Sequence, residues 1–152
     1  MRLSGGVGAH QVLFRAASSL GDTGQVTAAR TAYTDLAGTA RDRLGSDHPG
    51  AIVARSNLAR FRGEAGDAAG AAAASEELLA DRLRVLGTDH PYTLATRSQL
   101  TYWRGAAGDA AGAAAAYEEL LADQLRVLGT DHPPHARHPS DLARFRERAG
   151  LE

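Results

Sequence analysis

The sequence predicts an all-α protein, a solenoid of antiparallel helix hairpins, from three observations. The segment LGSDHP at Leu44–Pro49 returns as LGTDHP at Leu86–Pro91 and at Leu128–Pro133, each copy 42 residues after the last. The segment GEAGDAAGAAAA at Gly63–Ala74 returns as GAAGDAAGAAAA at Gly105–Ala116 with the same offset. Between these segments, apolar residues recur at helical spacing. A repeat period of 20–50 residues is typical of solenoids, in which each unit buries its apolar face against its neighbours.

The composition excludes several kinds of site and partner. All 17 basic residues are arginine, and the absence of lysine beside abundant alanine and glycine indicates a GC-rich genome. The net charge is −1 with both signs interspersed, so we expect neither a nucleic-acid nor a membrane partner. The sequence contains no cysteine, which excludes disulfides and thiolate metal sites.

The N-terminal segment, MRLSGGVGAHQVLF, has three early glycines and no long apolar run. It therefore resembles neither a signal peptide nor a membrane span, and a cytoplasmic protein is expected. Residues 1–8 are expected to be flexible because glycine disfavours helix.

The repeats divide the rest of the chain, which at 152 residues is long enough for one domain. We expect a single repeat domain at 9–150, made of a degenerate repeat at 9–45, full repeats at 46–87 and 88–129, and a terminal cap helix at about 139–149. Leu151–Glu152 breaks the repeat and is interpreted as a cloning remnant.

Capping residues and helix breakers predict the helix ends. A short helix is expected over 9–20 and a long one over 26–44, closed by Gly45. Asp or His caps with proline in the first turn open helices near Pro49 and Pro91, where the missing N–H costs nothing.

Gly-Asp steps separate the two helices of each hairpin. Gly66-Asp67 and Gly108-Asp109 combine a residue suited to a helix C-terminus with one that caps the next helix. Because the last repeat contains three prolines, its helix is expected to start near Pro139 or Ser140 and to run to about Arg148.

Apolar residues at helical spacing predict the core. One set lies on the first helix of each pair: Leu58 and Phe61, Leu100 and Trp103, and Leu142 and Phe145. A second set lies on the second helix: Ala113, Tyr117, Leu120, Leu121 and Leu128.

The alanine runs at 71–74 and 113–116 predict close packing of paired helices, because alanine is small and has the best helix propensity. Gly70 and Gly112 lie within these helices at a cost of about 1 kcal/mol each relative to alanine. We expect close backbone contact at both glycines; coding drift is the alternative.

The pattern resembles the tetratricopeptide repeat. The matching positions are Leu100, Gly108-Asp109, Ala113, Tyr117 and Leu120. The LG(S/T)DHP link and the segment SNLA at Ser56–Ala59 resemble the 42-residue repeats of kinesin light chains and of bacterial proteins built from such units. The resemblance covers about Gln25 to Gly150 and implies a right-handed superhelix of about seven helices. Gln99 in place of asparagine and Thr101 in place of a small residue depart from the pattern.

Three histidines, His48, His90 and His132, recur in register. Successive hairpins lie about 10 Å apart, whereas zinc–nitrogen bonds measure roughly 2 Å, so a shared metal is not expected. We interpret these histidines as closing the turns between repeats. His135 and His138 lie close to His132 in sequence, and adventitious metal binding there is the alternative to a structural role.

Paired carboxylates do not form a predicted catalytic site. Glu76-Glu77 and Glu118-Glu119 are neighbours on a helix and point to different sides, so we expect pairing with arginines such as Arg82 or Arg104. The sequence has no catalytic-triad spacing, phosphate-binding glycine loop or zinc-protease motif. We therefore expect no enzymatic activity and no cofactor.

The resemblance to tetratricopeptide proteins also implies a concave groove lined by the first helix of each pair. The implied groove residues are Val53, Ser56, Asn57, Arg60 and Glu64, then Ala95, Ser98, Gln99, Tyr102 and Ala106, with Arg144 at the far end. Asparagine at the position of Asn57 often holds a peptide backbone in this family, and its amide both donates and accepts.

Arg60, Tyr102 and Arg144 share one repeat position and would select carboxylates or a stacked segment. The alternative for these residues is a solvated face whose arginines pair with their own helices. The predicted function is a protein–protein interaction scaffold that binds a peptide, with acidic peptides preferred. Two alternatives are self-association through the terminal repeats and a role as the sensor or scaffold part of a larger bacterial regulator.

Overall fold

The structure of the protein is a computed structural model that describes residues 25–129 and 138–151. These residues form six α-helices and no strand: α1 (Val26–Leu44), α2 (Pro49–Glu64), α3 (Ala68–Leu86), α4 (Pro91–Ala106), α5 (Ala110–Leu128) and α6 (His138–Arg148). None of them is long and apolar enough to cross a lipid bilayer. The helix predicted over 9–20 lies outside the described residues.

Glycines end the helices where the sequence predicts them to end. α1 covers the predicted residues, and Gly45 follows it with a positive φ of 86° while its N–H bonds to the Arg41 carbonyl. Gly108 also has a positive φ, 124°, a conformation that residues with a Cβ rarely adopt. α6 begins at His138, one residue before the expected start.

Histidine caps begin α2 and α4. The Nδ1 atom of His48 accepts a hydrogen bond from the N–H of Gly50 at 3.0 Å, and Nδ1 of His90 accepts one from the N–H of Tyr92 at 3.1 Å. Each histidine precedes a proline at the first helical position. Of the two predicted capping residues, Asp or His, the structure shows histidine at both helices, where it satisfies a backbone donor that the helix itself leaves unpaired.

The chain divides into two compact units, residues 1–67 and 68–152. In the first unit α1 packs on α2, around a core of Ala29, Tyr33, Leu36, Ala37, Ala54 and Phe61. In the second unit α4 packs on α3 and α5, and α6 packs on α5. The core there contains Leu94, Ala113, Ala114, Tyr117, Leu120 and Phe145.

Aromatic pairs 28 residues apart join helices within each unit. Tyr33 on α1 stacks on Phe61 of α2 with ring centroids 5.4 Å apart. Tyr117 on α5 stacks on Phe145 of α6 at 6.0 Å. All four residues are buried, as is Trp103, so the predicted core role of the first-helix aromatic residues is confirmed.

The middle repeat has a different pair at the same two positions. Ser75 on α3 stands one repeat after Tyr33 and one before Tyr117, and Trp103 on α4 stands where the other repeats have phenylalanine. Ser75 is fully buried, and its hydroxyl has no hydrogen-bond partner among the residues that the structure describes. A small side chain on α3 thus accompanies the largest aromatic side chain on α4.

Different neighbouring groups exclude a side chain at Gly112 and at Gly105. A Cβ on Gly112 would lie 2.2 Å from a carboxylate oxygen of Asp109, whose Oδ1 atom caps α5 by accepting the Gly112 N–H. The predicted close approach of a second helix at Gly112 is therefore wrong: its neighbour is its own capping residue. Close approach occurs at Gly105, where a Cβ would lie 2.4 Å from the Phe145 ring and 2.8 Å from the Ala113 Cβ.

The buried Tyr117 phenol donates a hydrogen bond to the Ser98 carbonyl at 3.3 Å. Burial raises the pKa of Tyr117, and the negative charge of Asp141 raises it further. The folded protein therefore keeps this phenol neutral at a pH where an exposed tyrosine would ionise.

Replacement of Gly105 by alanine is expected to lower the free energy of unfolding by about 1–3 kcal/mol, because its Cβ would push Phe145 and Ala113 apart. Gly38→Ala in α1 is the matched control, since nothing lies within 4 Å of its added Cβ. That variant should gain roughly 0.5–1 kcal/mol from helix propensity. Urea unfolding measures the free energy of unfolding of both variants. If the two substitutions changed it equally and in the same direction, the packing at Gly105 would be contradicted.

Alkaline pH is expected to destabilise the protein partly through Tyr117. Its pKa is raised on folding, so its contribution is complete below about pH 10, the ordinary tyrosine value, and is lost as the pH rises above it. The sequence has no lysine or cysteine, so few other groups titrate between pH 9 and 11. Urea unfolding should show a smaller loss of stability over this range in Tyr117→Phe than in the wild type; parallel losses would contradict the assignment.

Candidate functional site

The Asp-His-Pro turn before α4 is held by a chain of four charges. Asp89 binds Arg126 with a shortest distance of 2.8 Å, Arg126 lies 3.5 Å from Asp123, and Asp123 binds Arg97 at 2.7 Å. The Arg126 hydrogen bond lowers the pKa of Asp89, and the Arg97 hydrogen bond lowers that of Asp123. Both carboxylates are thus occupied by arginines that join the turn and α4 to the end of α5.

A second kind of ion pair recurs between a second helix and the next first helix. Arg104 on α4 lies 3.3 Å from Glu76 on α3, and Arg146 on α6 binds Glu118 on α5 at the same repeat positions. The predicted pairing of Glu76 with Arg104 is confirmed. These carboxylates are exposed and bound to arginine, an arrangement that positions helices and offers no buried acid or base.

Arg82 is a buried arginine, 7% exposed, at the end of α3. Its Nη1 atom donates to the Tyr92 carbonyl and to Thr96 Oγ1, both at 2.6 Å. Its guanidinium also lies 5.5 Å from the centre of the Tyr92 ring. Arg82 therefore ties α3 to the first turn of α4.

Metal ligands do not cluster in the part of the chain that is described: no group of three or more histidine, aspartate or glutamate side chains there could hold an ion. His132, His135 and the side chain of His138 lie outside this part.

In the first unit, α2 carries five of the predicted groove residues: Val53, Ser56, Asn57, Arg60 and Glu64. Val53 is 46% exposed, and Ser56 and Asn57 are half-buried. The Asn57 amide has no hydrogen bond to another described residue. The Arg60 guanidinium lies 4.3 Å above the Phe61 ring and 3.9 Å from Glu64, so it is partly engaged within its own helix.

In the second unit, α4 carries Ser98, Gln99 and Tyr102, all half-buried. The Tyr102 ring meets Trp103 and Phe145 edge-on, with centroids 4.8 and 6.0 Å apart. One side of this ring is therefore fixed by the core while the rest reaches solvent.

On α6, Arg144 is exposed, as is Arg148 one turn later. Neither makes an ion pair with a residue that the structure describes, whereas Arg146, on the other side of the helix, is bound to Glu118. Arg148 was not among the predicted groove residues. It stands one repeat after Ala106, a predicted groove position, so the repeat register was the signal that could have found it.

The repeats match a known family model. Residues 52–92 and 93–134, together more than half of the chain, match the tetratricopeptide repeat. No curated protein sequence matches the chain significantly.

Two solved structures with the same fold contain the nearly identical repeats of a Podosopora anserina kinesin light chain. One of the two is of a variant. Each is 25% identical, with a TM-score of 0.80 over 92% of this chain and 66% of that one. BtubC (BKLC) from P. vanneervenii is 15% identical, with a TM-score of 0.79 over 93% of this chain and 56% of that one. This chain thus spans less than two thirds of each of these proteins.

The helix content of the described residues, the family match and these structures confirm the predicted fold class and the resemblance to kinesin light chain repeats. The chain belongs to the tetratricopeptide repeat family, whose members serve as non-enzymatic protein–protein interaction scaffolds.

Proposed function

We propose that this scaffold binds an acidic peptide segment of a partner protein on the exposed face of α4 and α6. This face, called the inner face below, comprises Ser98, Gln99 and Tyr102 on α4 and Arg144 and Arg148 on α6. The observation that carries the proposal is the pair of exposed arginines on α6, one turn apart and without a carboxylate partner among the described residues.

These two arginines differ from the other exposed arginines of the second unit. The other exposed arginines that the structure describes there each have a carboxylate partner: Arg84, Arg104, Arg126 and Arg146. The half-buried Arg97 also has one, Asp123. A guanidinium can bind a carboxylate through two parallel hydrogen bonds, and its planar shape favours this geometry. Among the exposed arginines described in the second unit, Arg144 and Arg148 are therefore the two whose guanidinium groups are available to a carboxylate from outside.

The α4 side of the inner face supplies a different chemistry. The Gln99 side chain is an amide, which can donate to and accept from a peptide unit. Tyr102 has a ring held on one side by Trp103 and Phe145, so it loses little conformational freedom when it contacts a ligand. Together these groups suit a peptide with an apolar or aromatic residue near its acidic residues.

Each arginine is expected to contribute modestly, because exposed charge pairs are typically worth about 0.2–1 kcal/mol. Arg144→Gln/Arg148→Gln should weaken binding of a glutamate-rich ten-residue peptide by roughly two- to tenfold relative to the wild type. Raising the salt concentration should weaken wild-type binding in the same direction. Fluorescence anisotropy with the labelled peptide measures both effects.

Arg146→Gln is the matched control, since Arg146 is bound to Glu118 and lies on the other side of α6. It should leave peptide affinity within twofold of the wild type. A glutamine-for-glutamate version of the peptide should bind no better to the wild type than to the double variant. If the double variant and the Arg146 control lose affinity equally, the inner face is not where the acidic peptide binds.

Asn57 gives a separate test in the first unit. We propose that its amide holds the backbone of a bound peptide, because the side chain is half-buried and free of hydrogen bonds to other described residues. Asn57→Ala should weaken binding of peptides selected from a random library while leaving the unfolding midpoint within a degree or two. Unchanged affinity for every selected peptide would remove Asn57 from the site.

Self-association through the terminal repeats remains a prediction. Over residues 140–148 of α6, where burial is described, the exposed residues are polar or small: Ser140, Ala143, Arg144, Arg146, Glu147 and Arg148. Such a face does not favour apolar stacking of two copies. The expected cytoplasmic location, the bacterial origin and the role within a larger regulator also stay predictions.

A further inference from the structure

We propose that two buried positions on α3 and on α5 decide which first helix each of them packs against, so that these nearly identical helices do not exchange partners. The residues at these positions, called the pairing residues below, are Ser75 and Arg82 on α3 and Tyr117 and Gln124 on α5. The inference concerns how the repeats assemble and does not depend on the proposed peptide site.

The sequences of α3 and α5 create the need for such a distinction. Both helices have 19 residues, and AAGAAAASEELLADRLRVL differs from AAGAAAAYEELLADQLRVL only at the pairing residues. By apolar pattern and helix propensity, either helix could therefore pack on α4 or on α6. The competing state is a slip of one repeat, in which α3 packs on α6 while α4 and α5 are left out of the stack. A unique fold requires that such a state be clearly less stable.

The pairing residues all lie in the packed interior. Ser75 and Tyr117 are fully buried, Arg82 is 7% exposed and Gln124 is 3% exposed. Exposed substitutions are usually close to neutral, whereas a change of size in a close-packed interior is felt by its neighbours. The two differences between α3 and α5 are therefore located where a neighbouring helix has to accommodate them.

The first helices differ at the matching positions. Tyr117 stacks on Phe145 of α6, and one repeat earlier the same two positions hold Ser75 and Trp103. Arg82 donates a hydrogen bond to Thr96 of α4 at 2.6 Å, and α6 has histidine, His138, one repeat after Thr96. Each difference between the second helices thus has a counterpart on the first helix that follows.

Packing of α3 on α6 would combine residues that do not fit. Ser75 would leave a cavity beside Phe145, in the space that the Tyr117 ring fills. The Arg82 guanidinium would lose the Thr96 hydroxyl that accepts its hydrogen bond, and a buried charge with fewer hydrogen bonds is costly. The slipped state is therefore penalised at both pairing positions.

Packing of α5 on α4 would fail for the opposite reason. The Tyr117 ring would meet Trp103, the largest side chain, where α3 supplies only a serine. Overpacking of this kind forces side chains and backbone to shift. The guanidinium that lies over the Tyr92 ring would also be replaced by the neutral Gln124 amide. Specific pairing thus comes from penalties on the wrong combinations as well as from contacts in the right ones.

A first test compares four full-length chains that differ only at positions 75, 82, 96 and 103. Two are matched: the wild type, and a uniform chain, Ser75→Tyr/Arg82→Gln/Thr96→His/Trp103→Phe, in which α3 and α4 take the residues of α5 and α6. Two are mixed: Ser75→Tyr/Arg82→Gln and Thr96→His/Trp103→Phe. In urea unfolding, each mixed chain should have a folding equilibrium constant at least about tenfold below that of both matched chains.

A mixed chain that fails to fold while both matched chains fold gives the same answer as a low equilibrium constant. The proposal is overturned if either mixed chain is as stable as the matched chains. It is equally overturned if the uniform chain is no more stable than the mixed chains, because the residues would then not act as sets.

A second test detects the slip itself by cross-linking. The sequence has no cysteine, so introduced cysteines are the only thiols. Glu76→Cys/Arg104→Cys reports the correct pair, since these residues lie 3.3 Å apart, and Glu76→Cys/Arg146→Cys reports α3 on α6. After refolding from urea at low protein concentration, a short bismaleimide should cross-link only the first pair in the wild type. In the uniform chain the second pair should cross-link within one molecule at least roughly tenfold more than in the wild type.

A transposed chain is the matched control. It adds Tyr117→Ser/Gln124→Arg/His138→Thr/Phe145→Trp to the uniform chain, which exchanges the two sets of residues and restores the wild-type composition. Because its two pairs of helices again differ, its slipped cross-link should stay at the wild-type level. If the uniform chain gives no more slipped cross-link than the transposed chain, these residues pack the helices without choosing between them, and the proposal fails.

Discussion

The structure depends on a contact seen in both units, the packing of a tyrosine in the middle of a second helix against a phenylalanine 28 positions later on the next first helix. Tyr33 and Phe61 make this contact in the first unit, and Tyr117 and Phe145 make it in the second. Aromatic side chains bury large areas and stack in defined geometries, so such a pair both stabilises two helices and fixes their register. Gly105 shows how tight the packing is, because the Phe145 ring occupies the space that a Cβ would need.

The polar groups of the repeat hold the turns and helices in place once the aromatic pairs have packed the helices together. The turn aspartate binds an arginine at the end of a second helix, the histidine caps the first helix, and a glutamate–arginine pair joins neighbouring helices. These ion pairs use four carboxylates, Glu76, Asp89, Glu118 and Asp123, and the four arginines that bind them. Among the exposed arginines that the structure describes in the second unit, Arg144 and Arg148 stand out because neither has a carboxylate partner.

Much of this fold could be predicted from the sequence, because its determinants are local. Proline, glycine and histidine mark helix ends through backbone geometry, and α1 and the caps of α2 and α4 follow those signals. What escaped prediction depends on tertiary neighbours. The sequence alone cannot show that Gly105, rather than Gly112, lies against another helix, or that Arg82 is buried beneath Tyr92. Arg148, by contrast, could have been found from the sequence, since it stands one repeat after the predicted groove residue Ala106.

The middle repeat offers the most direct test of the central contact, since Ser75 and Trp103 replace the tyrosine and phenylalanine of the other repeats. Urea unfolding of Ser75→Tyr, Trp103→Phe and the double variant forms a double-mutant cycle. Each single change should destabilise the protein, one by overpacking and the other by leaving a cavity. The double variant should recover at least about 1 kcal/mol relative to the sum of the single effects. Strictly additive effects would show that these two positions do not pack against each other, and the account of the repeat would fail.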